Sequence, residues 1–301
     1  MTTGVLLMAH GTPAAASEIA PFYTRIRRGS PPTPEQLADL EARYAAIGGV
    51  SPLALRTAAQ VDAVRAELEA RAPGRYIVSF GAKHTDPLIE ESAAQLGSQG
   101  LERVIGLVLT PHGSSLGSQE YLDRAEVALG ATPFLRVAPW YAHPSLVALL
   151  AARVQDARRA VTGRTKVIFT AHSLPERIRE TGDTYPEQLT ESARLVATAA
   201  GLDEWIVAWQ SAGRTPEPWL GPDVRDVVRQ LAADDLADAV VVCPIGFVAD
   251  HLEVLYDLDV ELAAVAAEVG LPLARTASLN DDGRFIAVLA DVVMAADTGR
   301  V

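Results

Sequence analysis

"VLLMAHGTP" (5–13) and "VIFTAHSLP" (167–175) share one plan: an apolar run leads into Ala-His, a small residue, one further residue and proline. "LVLTPHGSS" (107–115) and "VVVCPIGFV" (240–248) form a second pair, again apolar runs ending in a proline-containing turn. The repeat predicts two domains of similar build, joined near 140–165. Short β-type runs at 4–9, 75–80, 103–110, 134–137, 165–170, 204–209, 238–243 and 271–275 alternate with longer amphipathic stretches. Those stretches are "PEQLADLEARYAA", "LRTAAQVDAVRAELEARA", "LVALLAARVQDARRAV", "QLTESARLVATAA" and "HLEVLYDLDVELAAVAAEV", all helical in period. Strands alternating with helices predict parallel sheets. Continuously apolar runs such as "VIGLVL" predict sheets covered on both faces. The fold class is therefore α/β: two doubly wound, Rossmann-like domains, 1–150 and 151–301, with the active site in the cleft between them. Ligands of open α/β sheets bind beyond the carboxyl ends of the strands. His10, His112, His172 and the 244–250 turn all fall at such ends.

Composition narrows the function. At 301 residues, 49% hydrophobic and 21% charged, the chain can bury large cores. A net charge of −12 argues against nucleic acid and anionic membrane surfaces as partners. The N-terminus has a five-residue apolar run and no basic segment before it, so it is not a signal peptide. No apolar stretch is long enough for membrane insertion. Cys243, the only cysteine, rules out an internal disulfide and an all-cysteine iron–sulfur cluster. The expectation is a cytoplasmic protein.

"HLEVLYDLDVE" (251–261) carries a histidine and four carboxylates. Glu253, Asp257 and Glu261 recur every fourth residue, so a helix stacks them on one face, where like charges repel. No lysine or arginine lies between 245 and 274 to compensate. A solvated acidic face is the ordinary explanation. A row of hard oxygen ligands beside a histidine also suits a divalent ion such as ferrous iron, held loosely enough to pass on. Asp259 lies off that face and reads as a solvated acid. His172, at a strand end, can cap a turn, ligate a metal or accept a proton. Around "FYTRIRRGSPP" (22–32) and "EARYAAIGGVSPL" (41–53), Arg25, Arg27, Arg28 and Arg43 accompany Tyr23, Tyr44 and Ser51. They read either as ordinary surface residues or as forks for the carboxylates of a flat apolar ligand. "GRTPEPWLGPD" (213–223) reads as a rigid aromatic-walled loop or a structural lid. No nucleotide-binding glycine motif occurs.

Several stretches together, "LLMAHGTP", "IRRGSPPTPEQLADLEARYAAIGGVSPL", "KHTDPLIEE", "TAHSLPERIRETGDTYPEQL", "WQSAGRTPEPWLGPDV" and "PIGFVADHLEVLYDLDVE", carry a resemblance from about residue 4 to 290. The sequence resembles the ferrochelatase family, in particular its soluble Gram-positive-type members, which insert iron into coproporphyrin III. The resemblance implies that His172 and Glu253 bind ferrous iron and remove the pyrrole protons. It makes Asp257 and Glu261 further acids on a metal path, and places Arg27, Arg43, Tyr44, Ser51 and Tyr121 against the porphyrin. His10 stands where the Gram-positive type has tyrosine, which makes it a candidate axial ligand to the product's iron. The resemblance further implies iron and porphyrin as substrates, no prosthetic group, a monomer, and transient contact with neighbouring haem-pathway enzymes. Protoporphyrin IX is the rival substrate. A cobalt chelatase for corrin precursors shares the architecture but is not expected to match "WQSAGRTPEPWLGPD" or "HLEVLYD". Retention of both His172 and Glu253 speaks against a noncatalytic haem or metal carrier.

Overall fold

The computed structural model describes residues 2–299. Eight strands form two four-stranded parallel sheets. The first holds β1 (Thr3–Ala9), β2 (Tyr76–Ala82), β3 (Arg103–Val108) and β4 (Phe134–Arg136) in the order β2-β1-β3-β4. The second holds β5 (Thr165–His172), β6 (Trp205–Gln210), β7 (Ala239–Cys243) and β8 (Leu273–Arg275) in the order β6-β5-β7-β8. The orders are equivalent, so the repeated Ala-His motif reflects a repeated fold. In each sheet the chain leaves the first strand to one side and later returns on the other. His10 and His172 close those two strands, at the switch points where open sheets bind ligands.

Helices cover both sheets. They are α1 (Ile19–Ile26), α2 (Pro34–Ala46), α3 (Leu53–Arg71), α4 (Ile89–Gly97), α5 (Ser118–Leu129) and α6 (Pro144–Arg158), followed by α7 (Tyr185–Ala200) and α8 (Val224–Ala233). α2 starts where its sequence predicts. The Thr33 hydroxyl accepts from the Gln36 N–H at 3.3 Å, the Gln36 side-chain oxygen accepts from the Thr33 N–H at 3.0 Å, and Pro34 opens the first turn. α9 (Leu252–Leu255) runs through a π-turn, Asp257–Leu262, into α10 (Ala263–Glu268), and α11 (Gly283–Thr298) ends the fold. No helix among the described residues is long and apolar enough to cross a membrane.

The two sheets do not divide the chain at one point. Residue 150 falls inside α6, which packs on α7 and β7 of the second unit. α11 returns to the first unit and packs on α3 and β3. There the buried carboxylate of Asp297 accepts bonds from Arg75 and from the Tyr76 hydroxyl, the latter at 3.0 Å. One apolar core is continuous across both units, from Leu7 and Leu107 through Leu150 and Phe285 to Phe169 and Val241. Burial of that shared surface fixes how the strand ends face each other.

Gly246, in the turn after β7, is a close approach to the strand that carries His172. A Cβ there would lie 2.4 Å from the Ala171 Cβ, and the Gly246 N–H donates to the Thr170 carbonyl at 3.1 Å. Gly246→Ala must push β5 and this turn apart, at a cost of about 1–3 kcal/mol. A lower thermal midpoint is expected, and an unchanged one would show that the turn yields freely.

Candidate active site

Glu253 lies between two imidazoles. His172 Nε2 is 3.4 Å from Oε1, and His251 Nε2 is 3.6 Å from Oε2. The Nδ1 of His172 bonds the Ser173 carbonyl and that of His251 bonds the Ala249 carbonyl. A carbonyl only accepts, so both Nδ1 atoms carry hydrogen and both Nε2 atoms face the carboxylate. Burial alone would push the His172 pKa down. Its charge interaction and hydrogen bond with Glu253, helped by the Ser173 carbonyl, outweigh burial and lift it to about 9. Burial likewise opposes ionisation of Glu253, but His172 and His251 hold it well below the usual carboxylate range. At neutral pH the pair is therefore an imidazolium facing a carboxylate.

The carboxylate row is only partly as the spacing predicts. A four-residue step on an α-helix overshoots one turn by about 40°. Here the helix widens: the Glu261 N–H bonds the Tyr256 carbonyl five residues back, at 2.9 Å. That winding brings four-residue steps closer to a full turn and keeps the three acids in file. Asp257 is buried and accepts a bond from the Ser211 hydroxyl. Burial and the negative charges of Glu253 and Glu261 raise it to about 6, against the Ser211 bond. The acids are not without cations, as the local sequence implied. Arg225, from α8, reaches Glu261 at 3.4 Å, and Arg275, from β8, holds Asp259 at 2.6 and 2.9 Å. Asp259 is thus an ion-pair partner rather than a solvated acid. Among the described residues, no three or more His, Cys, Asp or Glu side chains are gathered into a preformed metal-binding cluster.

The first unit brings other groups to this carboxylate. His10, Tyr44 and Tyr121 all feel the charge of Glu253, so both units contribute to one site. His10 is solvent-accessible, and its Nδ1–H donates to the Gly11 carbonyl at 3.1 Å, which leaves Nε2 as the lone-pair nitrogen. The protein packed around it lowers its pKa despite Glu253, so the ring is neutral. Tyr44 is buried, 3.5 Å from the Thr12 hydroxyl. Tyr121 is buried below Lys83, whose ammonium lies 5.1 Å from the ring centroid.

The remaining expected ligand contacts differ among themselves. Arg27 donates to the Ser30 carbonyl at 3.3 Å and flanks Tyr23, and among the described residues neither Arg27 nor Arg28 forms a salt bridge. Arg25 pairs with Asp86 at 3.1 Å, as a surface residue does. Arg43 pairs with Asp39 at 3.1 Å and lies over the Tyr256 ring. Arg214, from the aromatic-walled loop, reaches the same Asp39 at 3.2 Å and ties that loop to α2. Ser51 is buried and its hydroxyl accepts the N–H of Leu53, the first residue of α3, at 3.2 Å.

His112 does not join the cleft. It is 2% exposed, stacks on Tyr141 and has no hydrogen-bond partner on either nitrogen. Burial holds it neutral, with a pKa near 3. It lines a cavity of about 680 Å³ beside β3 that touches neither His172 nor Glu253. His84, not singled out by the sequence patterns, packs against His10 with ring centroids 4.7 Å apart. Its only signal was its place just after β2, another strand end of the same sheet.

Two equivalent doubly wound sheets are also the architecture of solved chelatases. The fold is similar to that of SirB from Bacillus subtilis with Fe3+ (TM-score 0.62, 13% identity, covering 100% of this chain and 98% of SirB). It is also similar to CbiX, described as the terminal enzyme of siroheme biosynthesis in denitrifying bacteria (TM-score 0.53, 17% identity, 97% and 99% covered). The ferrochelatase family model matches residues 2–297, and the chain belongs to the ferrochelatase family. It is 42% identical over 299 residues to the coproporphyrin III ferrochelatase of Bacillus subtilis (strain 168), covering 97% of this chain and 96% of that one. It is also 42% identical to the ferrochelatase of Herpetosiphon aurantiacus, covering 97% and 98%.

The raised His172 pKa gives a signed prediction. A free histidine titrates near 6.5, so the pair's contribution to stability is complete below about 6.5 and is lost as pH rises toward about 9. The gap in thermal midpoint between wild type and His172→Gln should shrink as pH is raised across that window. Groups that do not interact with His172 cancel in the difference, and Glu253 in the wild type is ionised throughout this window. A gap independent of pH would contradict the charged pair.

Proposed function

We propose that the protein inserts ferrous iron into coproporphyrin III, giving iron coproporphyrin III for haem synthesis. The observation that carries this reading is the His172–Glu253 contact in a chain whose ferrochelatase match spans nearly its whole length. The preference for coproporphyrin draws on the relatives that bear that name and on Arg27 and Arg28, two guanidinium groups at the end of α1 without carboxylate partners among the described residues. Coproporphyrin offers four propionates and protoporphyrin IX two. The reading requires no prosthetic group. It treats the chain as a cytoplasmic monomer that passes its product to the next enzyme by transient contact.

Insertion must remove two pyrrole protons from a ring whose nitrogen lone pairs lie in its plane. Grip on the ring edges can distort it and expose those lone pairs, with binding energy from the propionates offsetting the strain. The resting His172 already holds the proton it would need to accept. Ferrous iron arriving at Glu253 supplies the change: the cation neutralises the carboxylate that stabilises the imidazolium, so His172 releases its proton and becomes a base. Asp257, near 6, can take up and release protons close to neutral pH. Glu261, tied to Arg225, is the outer acid of the row. His10, neutral and with Nε2 free, is suited to ligate the product's iron.

The test is anaerobic steady-state insertion with both porphyrins. A charge-assisted hydrogen bond is worth about 1.5–3 kcal/mol, so kcat/KM should favour coproporphyrin III by roughly tenfold or more. Equal values would assign the protein to both porphyrins, and binding without insertion would make it a carrier. Arg27→Ala should raise KM for coproporphyrin more than for protoporphyrin. His10→Ala should speed product release with little change in the insertion step. An unchanged product off-rate would remove His10 from that role.

A further inference from the structure

Gln210, the last residue of β6, is 2% exposed and links the two members of the pair, bonding the backbone of Glu253 and that of Ser173, the neighbour of His172. Its side-chain amide donates to the Glu253 carbonyl at 3.0 Å. Its side-chain oxygen accepts from the Thr170 hydroxyl at 2.9 Å, and Thr170 is fully buried in β5. Its main-chain carbonyl accepts the Ser173 N–H at 2.7 Å, and Ser173 supplies the carbonyl that fixes His172 Nδ1. Gln210 also lies directly beside His172 in the strand register.

The amide can face only one way. The Glu253 carbonyl has lone pairs and no hydrogen, so the atom facing it must be the NH2. That leaves the side-chain oxygen toward Thr170, which donates to it. The contact is made inside α9, the short turn that precedes the π-turn. The next residue adds a second hold. Ser211 has φ of 60°, a left-handed conformation that side chains seldom adopt, and its hydroxyl donates to Asp257. Consecutive residues thus grip consecutive acids of the row.

We infer that Gln210, assisted by Ser211, is a positioning residue that sets the carboxylate row in register with His172, so that metal and base meet at the working distance. This role rests on the ferrochelatase reading. Gln210 reaches the reacting groups only through the backbones of Glu253 and of Ser173 beside His172, so its loss should act on chemistry and metal use and spare porphyrin binding.

The test compares wild type, Gln210→Leu, Thr170→Val and Ser92→Ala, with coproporphyrin III and Zn2+ or Fe2+. Ser92→Ala removes a buried hydroxyl bond to the Phe80 carbonyl, 2.6 Å, between α4 and β2 of the first unit, and controls for destabilisation alone. Misplacement of reacting groups by about 1 Å costs up to about a hundredfold. Gln210→Leu should therefore lower kcat roughly 10- to 100-fold and raise KM for the metal, with the porphyrin Kd within about twofold of wild type. Thr170→Val, which leaves the amide in place but unanchored, should show a smaller loss of the same kind, and it keeps the test open if Gln210→Leu does not fold. Ser92→Ala should keep its kcat. Wild-type kcat and metal KM in Gln210→Leu, or in Thr170→Val alone should Gln210→Leu not fold, would overturn the role. So would a loss matched by weaker porphyrin binding or by Ser92→Ala. Wild-type protein that inserts no metal would overturn the function, and the positioning role with it.

Discussion

The site depends on a histidine and a carboxylate being held 3.4 Å apart by two different pieces of the fold. His172 ends a central strand, and Glu253 opens a helix two connections later. Neither position has meaning alone. Burial opposes ionisation of both groups, and their mutual charge attraction and hydrogen bond outweigh it, helped by the Ser173 carbonyl at His172 and by His251 at Glu253. The buried amide of Gln210 holds the backbone of Glu253 in place.

This arrangement changes how the chemistry must run. A histidine with an ordinary pKa would be ready to accept a pyrrole proton at neutral pH. With Glu253 beside it, His172 is raised to about 9 and already carries its proton. In the mechanism we propose, base strength becomes available only when another positive charge competes for the carboxylate, which ties deprotonation of the ring to arrival of the metal. The row behind Glu253 is graded in the same sense. Asp257 is buried and near 6, whereas Glu261 lies against Arg225.

Much of this was legible in the sequence. All eight expected strands are present, because apolar runs bounded by turn residues have few other uses in a chain of alternating helices. α2 begins and ends where "PEQLADLEARYAA" does, because its cap is local. The pairing of His172 with Glu253 followed from family resemblance. What sequence could not show was whatever depended on partners distant along the chain. Arg225 and Arg275 reach the acidic helix from outside its own neighbourhood, so Glu261 and Asp259 looked unpaired. His112 shares the strand-end signal of His10 and His172, yet it is packed behind the cleft against Tyr141 and Tyr185. α11 carries no mark of the domain it joins, since its attachment to the first unit is made by Asp297 with Arg75 and Tyr76. The π-turn is equally silent, because five-residue bonding leaves no composition behind.

His172 and Glu253, as proposed, act as one unit in metal insertion and not in holding the porphyrin. The direct measurement is anaerobic iron insertion by wild type, His172→Ala, Glu253→Gln and the double variant, with porphyrin Kd followed by fluorescence quenching. Each single variant should lose at least about a hundredfold in kcat while Kd stays near wild type, and the double variant should be little worse than either. Insertion near the wild-type rate in either single variant, or losses that multiply in the double, would contradict it.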